Sequence, residues 1–596
     1  MIKITTQLFS LLTPNQRKRF YLLQFLVILM AFMEIIGVAS IIPFMALVGD
    51  MTQLQQETFY AQVYQASGIE SESEFVVILG IGVVVTLFVS GTISLFTTWR
   101  LCMFGTQLGT ELSTRLYTHY IKQNWLFHAS VNSAKLTKKI VNETNRVSGG
   151  IILPLMQMNA RVVFTLFMVI SIFIYDPRVA IVGLSVFAIV YLILFKIVKR
   201  SLERNGKAIS QIFSKRYRLN NEGFGGIKDL LLLGRGDNFI ESFNQTSKSL
   251  AHSQGTINAL AQVPRYFIEL VAFGSMMTIT LYLISSYDGN LGMILPTLSL
   301  YTLAAFKLLP AIQNIYANVA AIKGNIAAFE SIHDDLIWSS KPKALIQESK
   351  QSFLRVKHQI SLNNITFTYP DKTKSTLQKI NMSILANSVI GIVGPSGSGK
   401  STLINILLGL IEPQQGEMKI DNTILNYKNR RSWQNTIGFV AQDIFLSDRS
   451  IAENVAFGIS KNEINLDKVK KALELSHLTE LLQSLEQGIY TPVGERGVKL
   501  SGGQSQRIGI ARALYHEAEI LVFDEATSSL DGISERRVMD AIHEFGGQKT
   551  IIMIAHRIKT VQNCNEIFYI DKGRVVDQGT YKELIERNDD FKNMAI

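Results

Sequence analysis

The sequence predicts a two-part chain: an α-helical membrane domain of six transmembrane helices with long cytoplasmic extensions, fused to an α/β domain built around a phosphate-binding loop. Three observations carry that prediction. Long apolar runs recur as far as Asn318 and then stop. The chain beyond them alternates short apolar strands with helical patterns. One of those strands runs directly into a glycine-rich GxxxxGK[ST] segment followed by a helical pattern.

The bulk properties agree. At 596 residues the chain exceeds a single ordinary domain of roughly 100–200 residues. An apolar content of 47% and a mean hydropathy of +0.20 are high for a soluble protein, yet 18% charged residues is too many for a chain embedded throughout. The net charge of +11 falls largely beside the apolar runs, at Arg17, Lys18, Arg19, Lys196, Lys199, Arg200, Lys215 and Arg216. There it sets topology and meets anionic lipid. Spread along loops and lacking a base-stacking module, it argues against nucleic acid as a partner. The two cysteines, Cys102 and Cys564, fall in different domains, so no structural disulfide is expected.

A span needs about 20 mostly apolar residues. Six segments qualify: 20–48, 75–98, 151–175, 179–197, 266–286 and 290–312. The first lacks a small-residue cleavage site and is too long for a signal-peptide core, so it reads as a retained span. The connection 50–74 carries Asp50, Glu57, Glu70, Glu72 and Glu74 without a Lys or Arg, whereas 100–150 and 196–262 are rich in both. The latter are therefore placed in the cytoplasm, together with both termini. Their helical patterning suits spans that continue below the bilayer, and Trp125–Lys138 and Gly223–Phe239 are expected to reverse the chain as short coupling segments.

Ionisable residues at membrane depth point to function. Glu34 lies in the first span, Arg161 in the third, Arg265 and Glu269 open the fifth, and Lys307 sits in the sixth. They either pair across helices or present charge to a substrate. Arg265 and Lys307, with Glu34, are the candidate substrate residues, since both cations suit phosphate.

The expected domains are 1–330 for the membrane part, 331–358 for a polar linker and 359–596 for the nucleotide-binding part. The strand Ile365–Tyr369 ends on an aromatic that can stack on a base. The apolar strand Val389–Val393 leads into Gly394, Pro395, Ser396, Gly397, Ser398, Gly399, Lys400, Ser401 and Thr402. Glycines allow backbone N–H groups to close on phosphates, the helix N-terminus adds partial positive charge, Lys400 meets the β- and γ-phosphates, and the Ser401 hydroxyl suits Mg²⁺. A second apolar strand, Ile520–Phe523, ends in Asp524 and Glu525, a metal-holding carboxylate followed by a general base for water. Between them, Ser501, Gly502, Gly503 and Gln504 open another helix and form a second anion site. One domain does not need two, so this loop is expected to close on ATP held by a second identical subunit.

The Leu500-Ser501-Gly502-Gly503-Gln504 segment between the two nucleotide motifs resembles the signature of the ABC transporter superfamily. That resemblance implies further roles. Gln442 matches the glutamine that touches Mg²⁺ and the attacking water, Thr491–Gly497 the exporter-specific loop, Ser528–Asp531 the D-loop, and His556 the switch histidine near the γ-phosphate. It also implies an ATP- and Mg²⁺-dependent homodimeric half-transporter in the bacterial inner membrane. The resemblance further implies that both ATP sites are competent and that the membrane helices alternate access. A soluble ABC ATPase would lack the spans, and a gated channel would tolerate loss of Glu525 or His556.

The membrane half is similar, over a narrower stretch, to bacterial flippases of polyprenyl-diphosphate-linked oligosaccharides used in protein glycosylation and surface polysaccharide synthesis. The segments that carry this are Met33–Phe44, Val263–Tyr266 with Glu269, and Lys307–Pro310. The resemblance implies a lipid-linked substrate whose diphosphate meets Arg265, with Lys307 in a second cationic position and 50–74 as an external helix near the lipid tail. A third expected cation is missing, since the region near Ser90 is uncharged. The alternative is an exporter of peptides, drugs or other lipids such as lipid A.

Overall fold

The computed structural model describes residues 2–55, 58–175, 177–286, 291–340, 352–525, 535, 539, 545–555 and 557–595. The chain forms two compact units, residues 1–123 with 128–343, and residues 124–127 with 344–596.

The first unit is helical: α1 (Ile2–Ser10), α2 (Pro14–Ala39), α3 (Ile41–Gly49), α4 (Phe59–Ser67), α5 (Glu72–Ile121), α6 (Trp125–Ser130, whose first three residues belong to the second unit), α7 (Ser133–Lys138), α8 (Thr144–Val147), α9 (Leu153–Tyr175), α10 (Pro177–Gly225), α11 (Ile227–Leu233), α12 (Gly236–Ser286) and α13 (Leu291–Ser340). Thr13 starts α2 with a capping box, its hydroxyl accepting from the Gln16 N–H while Gln16 Oε1 accepts from the Thr13 N–H at 2.7 Å, and Pro14 takes the first helical position. The break between α2 and α3 falls where the Pro43 ring would meet the carbonyl four residues earlier, that of Ala39. Beyond it, Leu47, Leu54, Phe75 and Val76 pack with Phe44, Tyr60 and Tyr64 into a small core under α4.

The expected extensions are present. Helices of about 50 residues, such as α5 and α13, reach some 75 Å, more than twice a hydrocarbon core of about 30 Å. Among the described residues, Pro14–Gly49, Glu72–Ile121 and Ser133–Tyr175 are long and apolar enough to cross a membrane. The remaining expected spans fall in α10, α12 and, from Leu291, α13. Phe88 is 75% exposed, Leu95 73% and Ile174 78%. A bilayer, not water, suits that surface. Both segments expected to reverse the chain hold short helices, α6 with α7, and α11.

Between α7 and α9 the chain widens twice into π-turns, Lys139–Glu143 and Ser148–Ile152. Arg146, between them, donates to the Gly206 and Gly324 carbonyls at 3.3 Å each, to Asn325 Oδ1 at 3.1 Å and to the fully buried Glu143 at 3.1 Å. It thereby joins α10 and α13. α13 runs through Ser340, so residues 331–340, read as linker, are helical. Ile332 and Leu336, one turn apart and both fully buried, hold that last stretch against the unit.

The second unit has two sheets. Strands β1 (Gln359–Phe367), β2 (Leu377–Leu385), β4 (Gln415–Ile420) and β5 (Thr423–Ile424) form an antiparallel sheet in the order β2-β1-β4-β5. The other, in the order β10-β9-β3-β8-β7-β6, contains β3 (Val389–Val393), β6 (Ile437–Val440), β7 (Ile520–Asp524), β8 (Thr550–Ile554), β9 (Glu566–Asp571) and β10 (Arg574–Gly579). All but the edge strand β10 pair in parallel. Strands β3 and β8 are buried along their whole length, as expected of parallel strands covered on both faces. Cys564 is buried and Cys102 partly so, and both are free thiols.

Candidate functional site

The nucleotide motifs meet because of strand order. In β3-β8-β7-β6, three carboxyl ends deliver a motif to the same edge: the glycine-rich loop after β3, Asp524 and Glu525 at the end of β7, and Gln442 after β6. Ligands of open parallel sheets bind at this edge. His556 and the Ser528–Asp531 segment lie outside the described residues.

The loop itself is shaped for phosphate. Gly397 and Gly399 have φ of 78° and 107°. A Cβ on Gly399 would also lie 2.9 Å from Leu377 and 3.1 Å from the Thr376 carbonyl, so glycine is required there twice over. The Lys400 ammonium donates to the carbonyls of Gly394 and Pro395 at 2.8 and 3.0 Å. Burial lowers its pKa from the ordinary value, while Glu525 and Asp524 oppose the shift. Ser398 is buried and its hydroxyl has no partner among the described residues, an orphaned donor of the kind a phosphate oxygen would satisfy. The helix α14 (Lys400–Leu407) starts at the loop's end, aiming the N–H groups of Ser401 and Thr402 the same way.

β7 ends at Asp524, and Glu525 then takes a left-handed φ of 50° while its N–H donates to the Ile554 carbonyl at 3.2 Å. A non-glycine residue in this region stores strain, and such residues gather at functional sites. Gln442 Nε2 donates to Glu525 Oε2 at 2.9 Å. That leaves the Gln442 amide oxygen free for a cation. Ser401, Asp524 and Gln442 offer only oxygen ligands, which fits Mg²⁺.

Tyr369 sits two residues past β1, not within it as expected. Its hydroxyl is 3.3 Å from Thr402 Oγ1 and its ring packs edge-on against Phe367, centroids 5.0 Å apart. That ties the aromatic to the first turn of α14. The helices α15 (Arg430–Gln434), α16 (Ile451–Val455), α17 (Leu466–Leu475) and α18 (Thr479–Ser484) follow, and α19 (Gly502–Tyr515) carries the signature. Ser501 caps α19, with Ser501 N–H donating to Gln504 Oε1 at 2.9 Å and Gln504 N–H to Ser501 Oγ at 3.3 Å. Ser501 and Gly502 are exposed. The helix N-terminus is thus open to an incoming anion.

In the first unit, Glu34 and Lys307 do come together. Glu34 is 4% exposed. Its carboxylate accepts from the Ser94 hydroxyl at 2.7 Å and lies 3.9 Å from both Arg161 and Lys307. Two cations thus share one buried carboxylate. Arg265 is not part of this group: its guanidinium donates to Glu269, one turn along the same helix, at 2.8 Å, and its side chain is 57% exposed. Ser94 was not foreseen, since a single hydroxyl in a span gives no signal without the phase of the helix.

Two family models match the chain, "ABC transporter transmembrane region" over residues 39–306 and "ABC transporter" over residues 377–528. An ATP-dependent lipid A-core flippase of Cupriavidus pinatubonensis is 40% identical over 235 residues, 39% of this chain and 40% of that protein. The same-named protein of Ralstonia nicotianae is 27% identical over 509 residues, 84% of each chain. Among solved structures, a bacterial Atm1-family ABC exporter with ATP bound superposes with a TM-score of 0.76 at 20% identity, covering 96% of this chain and 98% of the other.

Proposed function

Since the chain belongs to the ABC transporter superfamily, with an exporter-type membrane region joined to a nucleotide-binding domain, we propose that it hydrolyses ATP to move a phosphorylated glycolipid across the bacterial inner membrane as a homodimer. The observation that carries the substrate class is the mid-span group in which Arg161 and Lys307 share Glu34. Its excess positive charge is expensive in a bilayer unless an anion answers it, and a lipid phosphate does so.

On the ATPase side, Lys400 and the loop N–H groups bind the β- and γ-phosphates, and Tyr369 stacks on adenine. Mg²⁺, when bound with the nucleotide, neutralises charge between those phosphates, and Ser401, Asp524 and Gln442 are the residues that would hold it. Glu525 takes the proton of the water that attacks the γ-phosphorus while the bond to ADP breaks, and Gln442 fixes the carboxylate's orientation. His556 contacts the γ-phosphate. The α19 N-terminus, with Ser501, Gly502, Gly503 and Gln504, closes on ATP bound by the partner subunit. Both termini and the ATPase face the cytoplasm.

For the finer substrate, the names of the relatives favour a lipid A-core type of glycolipid. The polyprenyl-diphosphate oligosaccharide reading leans on Arg265, whose charge Glu269 already answers. Proteoliposome assays that follow headgroup exposure on the opposite leaflet test the proposal. Lipid A-core, but not polyprenyl-diphosphate oligosaccharide, is expected to move and to stimulate ATP turnover. Turnover without movement of either lipid leaves the ATPase reading intact and removes the substrate claim.

A further inference from the structure

A cavity of about 810 Å³ lies in the first unit between the start of the third span's helix and the far end of α10. Its walls carry Lys135, Lys138, Lys139, Lys215 and Arg218, and Glu222 is the one acidic residue lining it. Sites of roughly 300–1,000 Å³ hold small ligands, and they are ordinarily apolar. This one adds five cations to a largely apolar wall.

Three of the five cations have their charge answered. Lys138, on the cavity side of the first π-turn, lies 3.1 Å from the fully buried Glu143 and donates to Ser214 Oγ at 2.7 Å. Lys139 pairs with Asp335 at 2.5 Å, and Tyr120 donates to the same carboxylate at 2.6 Å. Arg218 meets Glu222 at 3.7 Å. Glu143, moreover, is shared with Arg146. Lys135 on α7 and Lys215 on α10 have no carboxylate partner among the described residues.

Two ammonium groups without a carboxylate partner among the described residues therefore line one cavity from two different helices, beside a buried carboxylate, Glu143, that two cations already share. Like charges so placed repel unless an anion joins them. We propose that this cavity binds a phosphate-bearing anion, with Lys135 and Lys215 as its charge donors and Ser214 and Lys138 at its floor. A phosphate with two or more ionised oxygens accepts from both lysines at once, and lysine is a point-charge phosphate ligand that needs no fixed fork. Occupancy ties α7 to α10. The ligand is either a soluble phosphate compound or the headgroup of an anionic lipid, and the chemistry of recognition is the same. The site is separate from the mid-span group used for the proposed substrate, so it stands or falls independently of that reading.

The test uses full-length Lys400→Ala protein, in which the glycine-rich loop is disabled, in nanodiscs of zwitterionic lipid. Acetylation rates of individual lysines are followed by mass spectrometry with and without inorganic pyrophosphate, and in a second arm with phosphatidylglycerol nanodiscs and no pyrophosphate. Lys135 and Lys215 are expected to react about tenfold more slowly when the site is filled, while the exposed Lys572 is unchanged. Protection by pyrophosphate identifies a soluble ligand, and protection by phosphatidylglycerol alone identifies a headgroup. Unchanged rates at both lysines in both arms overturn the proposal. So does calorimetric pyrophosphate binding that survives intact in the Lys135→Ala/Lys215→Ala variant.

Discussion

Gln442 and Glu525 are 83 positions apart in sequence, yet the Gln442 amide donates to the Glu525 carboxylate at 2.9 Å. The contact exists because β6 and β7 are parallel neighbours, with Val440 opposite Phe523. Gln442 lies two residues past one strand end and Glu525 one residue past the other.

This pairing yields a graded prediction for hydrolysis. Glu525→Gln removes the carboxylate proposed as the base but keeps the shape and an amide at the same place, so steady-state phosphate release should fall at least about a hundredfold while ATP binding persists. Gln442→Ala leaves the base present but unheld, and a smaller loss, of about tenfold, is expected. Phosphate release and fluorescent-nucleotide binding on the same preparations check both. Turnover of Glu525→Gln within a factor of two or so of wild type would remove Glu525 from its role.

The local parts of this site are legible in the sequence, because a strand, a glycine-rich loop and a helix N-terminus are contiguous and each residue's role follows from its neighbours. Contacts between strands are different: nothing along the chain says that β6 lies beside β7, and only the family resemblance supplied Gln442. In the membrane unit, charge at depth marks Glu34, Arg161 and Lys307, but periodicity leaves open which faces meet, and so the sharing of one carboxylate was not visible. Arg265 has a partner that the sequence makes legible. Glu269 stands at the i+4 position, where a helix places oppositely charged side chains together. The helical continuation through 331–340 is hard to read because Ser331, His333, Asp334 and Asp335 hide the apolar face formed by Ala328, Ile332 and Leu336.

The mid-span group predicts a non-additive stability effect. Glu34→Ala leaves Arg161 and Lys307 without their common counter-ion, and thermal unfolding in nanodiscs should shift by about 2 kcal/mol. That is less than the 3–5 kcal/mol of a fully buried pair, because both cations are about one-third exposed. Lys307→Met in the Glu34→Ala background should recover part of the loss. Additive losses in the double variant would show that the two side chains do not interact.

His516 gives the ATPase domain a pH dependence. Burial is the main cause of its pKa lying below the ordinary 6.5, with Arg512, Arg431 and Lys468 adding repulsion. Below about pH 6.5 the unfolded chain takes up a proton that the folded domain still refuses, so the unfolded state gains and stability falls as pH drops through that window. Above it, His516 is neutral in both states and contributes no slope. His516→Gln should flatten the decline in melting temperature between pH 7.5 and the low end of the folded range, and an unchanged slope would assign the decline to other groups.

The crossing of α10 and α13 predicts a large effect of a single methyl group. A Cβ on Gly206 would lie 2.2 Å from the Gly324 carbonyl oxygen, which belongs to the backbone and cannot rotate aside. The helices must part, and in parting they break the two 3.3 Å bonds that Arg146 makes to the carbonyls of Gly206 and Gly324. Gly206→Ala is therefore expected to destabilise the membrane unit by about 3 kcal/mol. Gly255 lies inside α12 with nothing within 4 Å of its added Cβ, so Gly255→Ala changes only helix propensity and should stabilise by up to about 1 kcal/mol. Opposite signs for the same substitution, read as melting shifts in one lipid environment, attribute the first to the crossing itself. A neutral Gly206→Ala would mean that α10 and α13 do not approach this closely in the membrane.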